Sequence, residues 1–243
     1  MNVLTILWHE QKIFKQKFWT ITSSSMISPL LYLIAFGWGL GSEVIISGTS
    51  YMNFVMPGIV AMTTMTVSFG TVANSLNISR TYDKTFEEFM TSPIRIWEYA
   101  IGKITAGALR GMYSAVLIII IALFFKANII VTGFFVLVAF LNALVFSSLG
   151  FVVGMVIDSH LEMSKFTSFI ITPMAFLSGT FFPIEKMPFI LNELIRILPL
   201  TQSTIGMRTG TPLSQNAWIS PSILITYFLL FLFLSIRLCK RAE

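Results

Sequence analysis

The chain alternates between long stretches without a charged side chain and short stretches in which charges crowd together. The uncharged runs cover residues 18–42, 44–79, 111–125, 127–157, 166–184 and 209–236, with lengths of 25, 36, 15, 31, 19 and 28 residues. A helix that crosses a bilayer needs about 20 apolar residues, so five of these runs are long enough or nearly so. The third reaches that length only by extending back through Arg110 to Ile104, which carries one guanidinium into the membrane. The pattern predicts an all-α polytopic membrane protein whose single transmembrane domain, 1–243, has six spans, at about 19–42, 52–78, 100–125, 129–157, 166–182 and 217–236.

Three segments outside the spans have patterns of their own. In residues 1–18, Val3, Ile6, Leu7, Ile13 and Phe14 gather on one side of a helical wheel and Thr5, His9, Lys12 and Gln16 on the other, which predicts an interfacial helix under the cytoplasmic leaflet. The basic stretch 12–17 runs straight into the first span with no small-residue cleavage site, so the segment does not read as a signal peptide. Between the second and third spans, residues 85–90 form a short helix with Phe86, Phe89 and Met90 on one face and Glu87 beside Glu88, stopped at Ser92-Pro93 because the residue before Pro disfavours helix. A solvated loop has no need of those apolar residues, so they predict a docking surface. Before the last span, residues 187–198 set Asn192, Glu193 and Arg196 on one face and apolar residues around the rest, bracketed by Pro188 and Pro199. That suits a re-entrant helical segment at the outer interface. The fifth span, with Pro173 and Gly179 inside it, is expected to stop short of a straight crossing.

Composition agrees with the membrane reading. Of 243 residues 55% are hydrophobic and 11% charged, against roughly 25% charged in soluble domains. Trp19, Trp38, Trp97 and Trp218 fall near predicted span ends, at headgroup level. Lys126, Lys186, Arg196 and Arg208 lie on one side of the spans and eleven Lys and Arg on the other, which puts both termini in the cytoplasm. The net charge of +5 is thus a topology signal and gives no reason to invoke nucleic acid. One cysteine excludes a disulfide scaffold, and two histidines leave little for metal chemistry. Asp158, His160 and Glu162 stand two apart, which scatters them around a helix.

Within the spans, Thr63, Thr64, Thr66, Ser68 and Thr71 make the second unusually polar. Their hydroxyls either satisfy the preceding turn's carbonyls or, at Thr63, Thr66 and Ser68, face a substrate pathway. Arg110 either lines the cytoplasmic mouth of that pathway and meets an anionic headgroup, or snorkels to the interface or pairs with carbonyls. The pairs Gly37/Gly41, Gly107/Gly111 and Gly150/Gly154 predict close helix packing.

The segment Asp83-Lys-Thr-Phe-Glu-Glu-Phe-Met-Thr-Ser-Pro-Ile-Arg-Ile-Trp-Glu-Tyr-Ala-Ile-Gly-Lys103 resembles the cytoplasmic loop of type-2 ABC exporter permeases. Phe176-Leu-Ser-Gly-Thr-Phe-Phe-Pro-Ile-Glu-Lys-Met-Pro188, followed by Leu198-Pro-Leu-Thr201, is similar to that family's segment before the last span. Ser28-Pro-Leu-Leu-Tyr-Leu-Ile-Ala-Phe-Gly-Trp-Gly-Leu-Gly41 resembles the subgroup of drug-resistance and nodulation-type permeases. The resemblance implies the transmembrane subunit of an exporter in the cell inner membrane. Two copies form a homodimer with two separate ATP-binding subunits, and ATP and Mg sit on the partner with no cofactor in this chain. With an ATPase as partner, the apolar anchors and acids of 85–93 predict coupling to it through Phe86, Glu87, Glu88, Phe89 and Pro93, the mixed polarity of 188–198 predicts an outer cap at Asn192, Glu193 and Arg196, and membrane lipid is expected as a partner. The sequence itself has no Gly-x-x-x-x-Gly-Lys-Ser/Thr phosphate loop and no connection long enough for an ATPase domain. A non-enzymatic permease for an amphipathic substrate (drug, lipid or lipid-linked glycan) follows. The alternative is an ion-coupled secondary transporter, which usually places carboxylates mid-span.

Overall fold

A computed structural model describes residues 3–39, 45–46, 49–91, 95–125, 127, 129–184, 187–212 and 217–241. Eleven helices follow in chain order among them: α1 (Val3–Gln16), α2 (Phe18–Tyr32), α3 (Tyr51–Thr81), α4 (Thr85–Thr91), α5 (Ile96–Phe124), α6 (Gly133–Val156), α7 (His160–Phe166), α8 (Thr172–Leu177), α9 (Phe189–Ile197), α10 (Pro199–Thr209) and α11 (Ile219–Arg241). A two-residue ladder, Ile45–Ile46 against Thr49–Ser50, precedes α3.

Among the described residues five helical segments are long and apolar enough to cross a membrane: α2 with the start of the turn that follows it (Phe18–Ala35), α3, α5, α6 and α11. The chain is an all-α polytopic membrane protein, and the arrangement of those five follows from burial. The apolar windows of α3 and α6 are 78% and 67% buried, against 11% for α2 and 22% for α11. The first two therefore make the centre, and the last two turn most of their surface outward. Glycine permits the tight centre. A Cβ on Gly111 of α5 would run into Ser68 Oγ and stand 3.1 Å from the Thr64 carbonyl oxygen. One on Gly150 of α6 would lie 2.6 Å from the Phe69 carbonyl oxygen, so both helices press backbone to backbone on α3. Gly107 and Gly154 pack on the same helix, one turn away. All four glycines predicted to pack closely in α5 and α6 thus sit against α3 backbone atoms, while Gly41 lies outside the described residues.

The predicted fifth span, 166–182, is jointed. Residues 160–177 remain helical throughout, but a wider π-helical turn, Thr167–Ile171, separates α7 from α8. Pro173 has no N–H to give the carbonyl one turn back, and Thr172 N instead donates to Thr167 O. A similar turn, Leu33–Trp38, follows Pro29 at the end of α2.

The connection before α11 holds more structure than its sequence suggests. α9 is amphipathic and exposes Phe189, Ile190 and Leu194, while Ile195 is buried. At Pro199 the chain turns into α10, which enters the bundle with Thr201, Ser203 and Thr204 fully buried and ends at Gly210 (φ 65°). The element of this connection that enters the bundle is therefore α10, with α9 leading into it. Two apolar clusters fill the interior. The larger joins α3, α6, α10 and α11 around Phe135 and Phe146. The smaller, at the opposite end of α3, gathers Ile6, Leu76, Phe86, Tyr99 and Phe151 from α1, α3, α4, α5 and α6.

Candidate functional site

α3 carries residues 62/63, 66/67, 70/71, 74/75 and 78/79 on one face because four residues are slightly more than one helical turn. That face lines a cavity of about 770 Å³. At 1.5 Å per residue the lined stretch runs roughly 25 Å, close to the depth of a bilayer's hydrocarbon core. Opposite stands α2, which contributes Ile21, Ser24, Ser25, Ser28 and Tyr32, while α1 brings His9 and Ile13, and Lys17 lies at the junction of the two helices. Thr172 and Phe176 of α8 line one end, and Asp83, Thr85 and Phe89 the other.

The threonines behave as their positions dictate. Thr63 Oγ1 donates to Ile59 O at 2.8 Å, Thr64 to Val60 O at 2.6 Å, and Thr66 to Met62 O and Thr63 O, both at 3.1 Å. Thr63 and Thr66 line the cavity, with Thr66 exposed into it. Ser68 does not: its hydroxyl is buried against Gly111, with no hydrogen-bond partner. Sequence reasoning also missed Ser24, Ser28, Asn74 and Ser75. The serines of α2 form a consecutive run, 23–25, followed by Ser28, and only a facing α3 stripe shows which of them belong to one wall.

The basic end of the cavity is built around a residue the sequence did not single out. Glu10 of α1 is 4% exposed and reaches both Lys103 and Arg110 of α5. Lys103 Nζ donates to Glu10 Oε1 at 2.5 Å and to Ser75 Oγ at 3.0 Å. Arg110 Nη2 donates to Glu10 Oε2 at 3.1 Å and to Glu10 O at 3.0 Å. Lys103 and Arg110 are seven residues apart, two turns on one helical face, so a single carboxylate can bridge them. Arg110 thus has a carboxylate partner in addition to a carbonyl, and its guanidinium also stacks 5.6 Å from the Phe14 ring centroid. Burial raises the Glu10 pKa, but the charge and hydrogen bond of Lys103, with Arg110 beside it, outweigh that and hold the carboxyl below its ordinary value. α1 packs lengthwise along α5 through these contacts, with Ile6 on Gly102 and Phe14 on Tyr113.

α4 sits beside this end. Phe86, expected to be an exposed anchor, is 6% exposed and packs edge-on against Tyr99 with centroids 5.8 Å apart. The correction has a simple cause: Tyr99 and Phe151 offer an apolar cluster within the chain itself. Phe89 is half-buried between His9 and Tyr99, at 5.9 and 5.3 Å. Glu87 and Glu88 face outward, and Pro93 lies outside the described residues.

At the other end, Asn192 is half-buried. Its Nδ2 donates to Ile184 O at 3.2 Å, and its Oδ1 accepts from Arg196 Nε at 2.7 Å. Glu193 and Arg196 are exposed. Arg208 Nη2 donates to Gly179 O at 2.7 Å and Nε to Phe54 O at 3.1 Å, tying α10 to α3. Asp158 pairs with Arg80 at 2.9 Å, and the His160 ring lies against Tyr82, so these two point to different neighbours.

A profile described as ABC-2 type transporter matches residues 1–211. The chain is 29% identical over 187 residues to the inner membrane transport permease YadH of Escherichia coli (strain K12), covering 76% of this chain and 73% of that one. It is 30% identical over 223 residues to nodulation protein J of Rhizobium meliloti (strain 1021), covering 89% and 84%. To nodulation protein J of Neorhizobium galegae the identity is 28% over 224 residues, covering 89% and 84%.

Proposed function

Since the chain belongs to the ABC-2 type transporter family and is thereby a membrane subunit of an ABC transporter, associated with an ATP-binding subunit, we propose that it is the permease of an exporter for amphipathic molecules. The observation that carries this is the cavity itself: a wall of hydroxyls and apolar groups that runs from Asp83 and Phe89, beside α4, to Thr172 and Phe176. Such a wall suits a drug, a lipid or a lipid-linked glycan, each with a polar and an apolar part. Two copies and two ATP-binding subunits make the working unit, with ATP and Mg held on the partner and no catalysis in this chain. The names of the relatives support an inner membrane location, and the excess of basic residues beside α1, α4 and α11 supports cytoplasmic termini.

Glu87 and Glu88, exposed on α4, meet basic residues of the ATPase, while Phe86 and Phe89 fix α4 to the bundle so that a push on it moves α1, α3 and α5 together. α9 caps the outer end. Ion coupling has less support: among the residues lining the cavity the one carboxylate is Asp83, at its mouth, where a proton relay through the bilayer would need one at depth.

The test is co-purification of the chain with its ATP-binding subunit, followed by reconstitution in liposomes. ATP-dependent movement of an amphipathic dye is expected. Transport that persists without the ATPase, driven by a proton or sodium gradient, would replace this reading with the ion-coupled one.

A further inference from the structure

The basic end of the cavity has more positive charge than its own acids neutralise. Glu10 is a single carboxylate serving two buried cations, Lys103 and Arg110, whose side chains are 6% and 13% exposed. Lys17, exposed at the same cavity, has no acidic partner among the described residues. Two cations around one carboxylate leave a net positive charge where water is scarce, and such a charge is costly unless an anion joins it. Within the described residues Arg110 spends only Nη2 on hydrogen bonds, both to Glu10. Arg110 lines this cavity and also a smaller one with Phe14 and Tyr113, and the planar fork of a guanidinium matches the oxygens of a phosphate.

We propose that Lys17, Lys103 and Arg110 form a headgroup site for a phosphate-bearing amphiphile, whose chain lies along the α2–α3 wall. Ile13 and Ile21 flank the basic end, and Met62 and Phe176 continue the apolar part of the wall, so a chain leaving the phosphate stays on apolar atoms. Ser24 and Ser28 offer hydroxyls to whatever polar group follows the phosphate. The inference narrows the substrate class of the cavity described above and rests on that cavity being the pathway. Binding, however, is measured without ATP and without transport.

The experiment uses the purified full chain in a neutral alkyl maltoside. Dodecyl phosphate is titrated and binding read by native mass spectrometry and by the shift in thermal unfolding, with inorganic phosphate and a zwitterionic lysolipid as the other arms. Dodecyl phosphate is expected to bind saturably and to raise the unfolding temperature. Lys17→Glu should weaken it roughly fivefold or more, and Asp83→Asn, which removes the carboxylate at the mouth, should tighten it. Both side chains are exposed, so neither change threatens the fold. The double variant Glu10→Gln/Arg110→Gln keeps the net charge but removes the fork, and should lose binding by roughly tenfold. Competition by inorganic phosphate at equal concentration would assign the site to a free anion and overturn the amphiphile. Equal binding of the zwitterionic lysolipid, or a Lys17→Glu titration that superimposes on that of the unaltered chain, would overturn the charge argument. Saturable binding without any ATP-driven export would leave this site standing and remove the exporter reading instead.

Discussion

Removing the Glu10 carboxylate leaves Lys103 and Arg110 as two like charges in a site with almost no solvent. Breaking one partner out of a buried ion cluster costs about 3–5 kcal/mol, more than the cluster's formation contributes over an apolar equivalent. Glu10→Gln is therefore expected to lower the thermal unfolding temperature sharply, and Glu10→Gln/Lys103→Met to recover part of the loss; a double variant no more stable than the single one would contradict the electrostatic account. The same residue sets an acid limit. Because Lys103 and Arg110 overcome burial and hold the Glu10 carboxyl below 4.5, its contribution is fully present above about pH 4.5 and is lost as pH falls through the lower folded value. Hydrogen exchange in α1 should accelerate in that acid window, and Glu10→Gln should abolish the pH dependence. This residue was not legible beforehand: on a wheel it is one acidic position in a basic segment, and only the distant Lys103 and Arg110 give it a partner.

At the scale of elements, α4 combines a buried strut with an acidic outer face. Phe86→Ala empties a site between Tyr99, Ile6 and Leu76, and is expected to destabilise the protein by about 3–5 kcal/mol while altering ATPase association only through that loss. Glu87→Lys/Glu88→Lys should leave the stability within about 0.5 kcal/mol of unaltered protein, yet weaken pull-down of the ATP-binding subunit. An unchanged pull-down would remove α4 as the coupling element. The limits of α4 could be read from the sequence, because apolar positions at 86 and 89 and the stop before Pro93 define a short helix. Which way Phe86 points could not, since the spacing is the same for a groove on a partner and a cluster in the same chain. α10 was missed for the opposite reason. Residues 199–209 have no apolar run to mark a buried helix, but Ser203 bonds Asn142, Thr204 bonds Ser178 O, and Gln202 bonds Arg196 O, so these three polar side chains are satisfied inside the bundle. The long spans α3, α6 and α11 needed no such information, because length and absence of charge suffice, whereas α5 had to be extended through Arg110.

For the whole molecule, the two ends of the cavity must lie on opposite sides of the membrane if the chain is a pathway. Glu193→Cys, on the exposed face of α9, is expected to react with an impermeant thiol reagent added outside cells; the half-buried Asn192 is a poorer reporter because it is bonded to Ile184 O. Labelling only after permeabilisation would invert the topology. The pathway itself is tested by filling it. Thr66 is exposed into the cavity and its hydroxyl is satisfied within α3, so Thr66→Trp adds an indole to open space without breaking a packed contact. Val116→Trp places the same bulk on the 51%-exposed outer face of α5. If cargo passes between α2 and α3, Thr66→Trp lowers ATP-driven export by about tenfold or more, the effect of a barrier raised by about 1.4 kcal/mol, whereas Val116→Trp does not. The two variants should unfold at similar temperatures and hold the ATPase equally well, which separates a blocked route from a damaged protein. Export by Thr66→Trp at the unaltered rate would mean that the cavity of one chain is not the route, and that cargo moves along another surface.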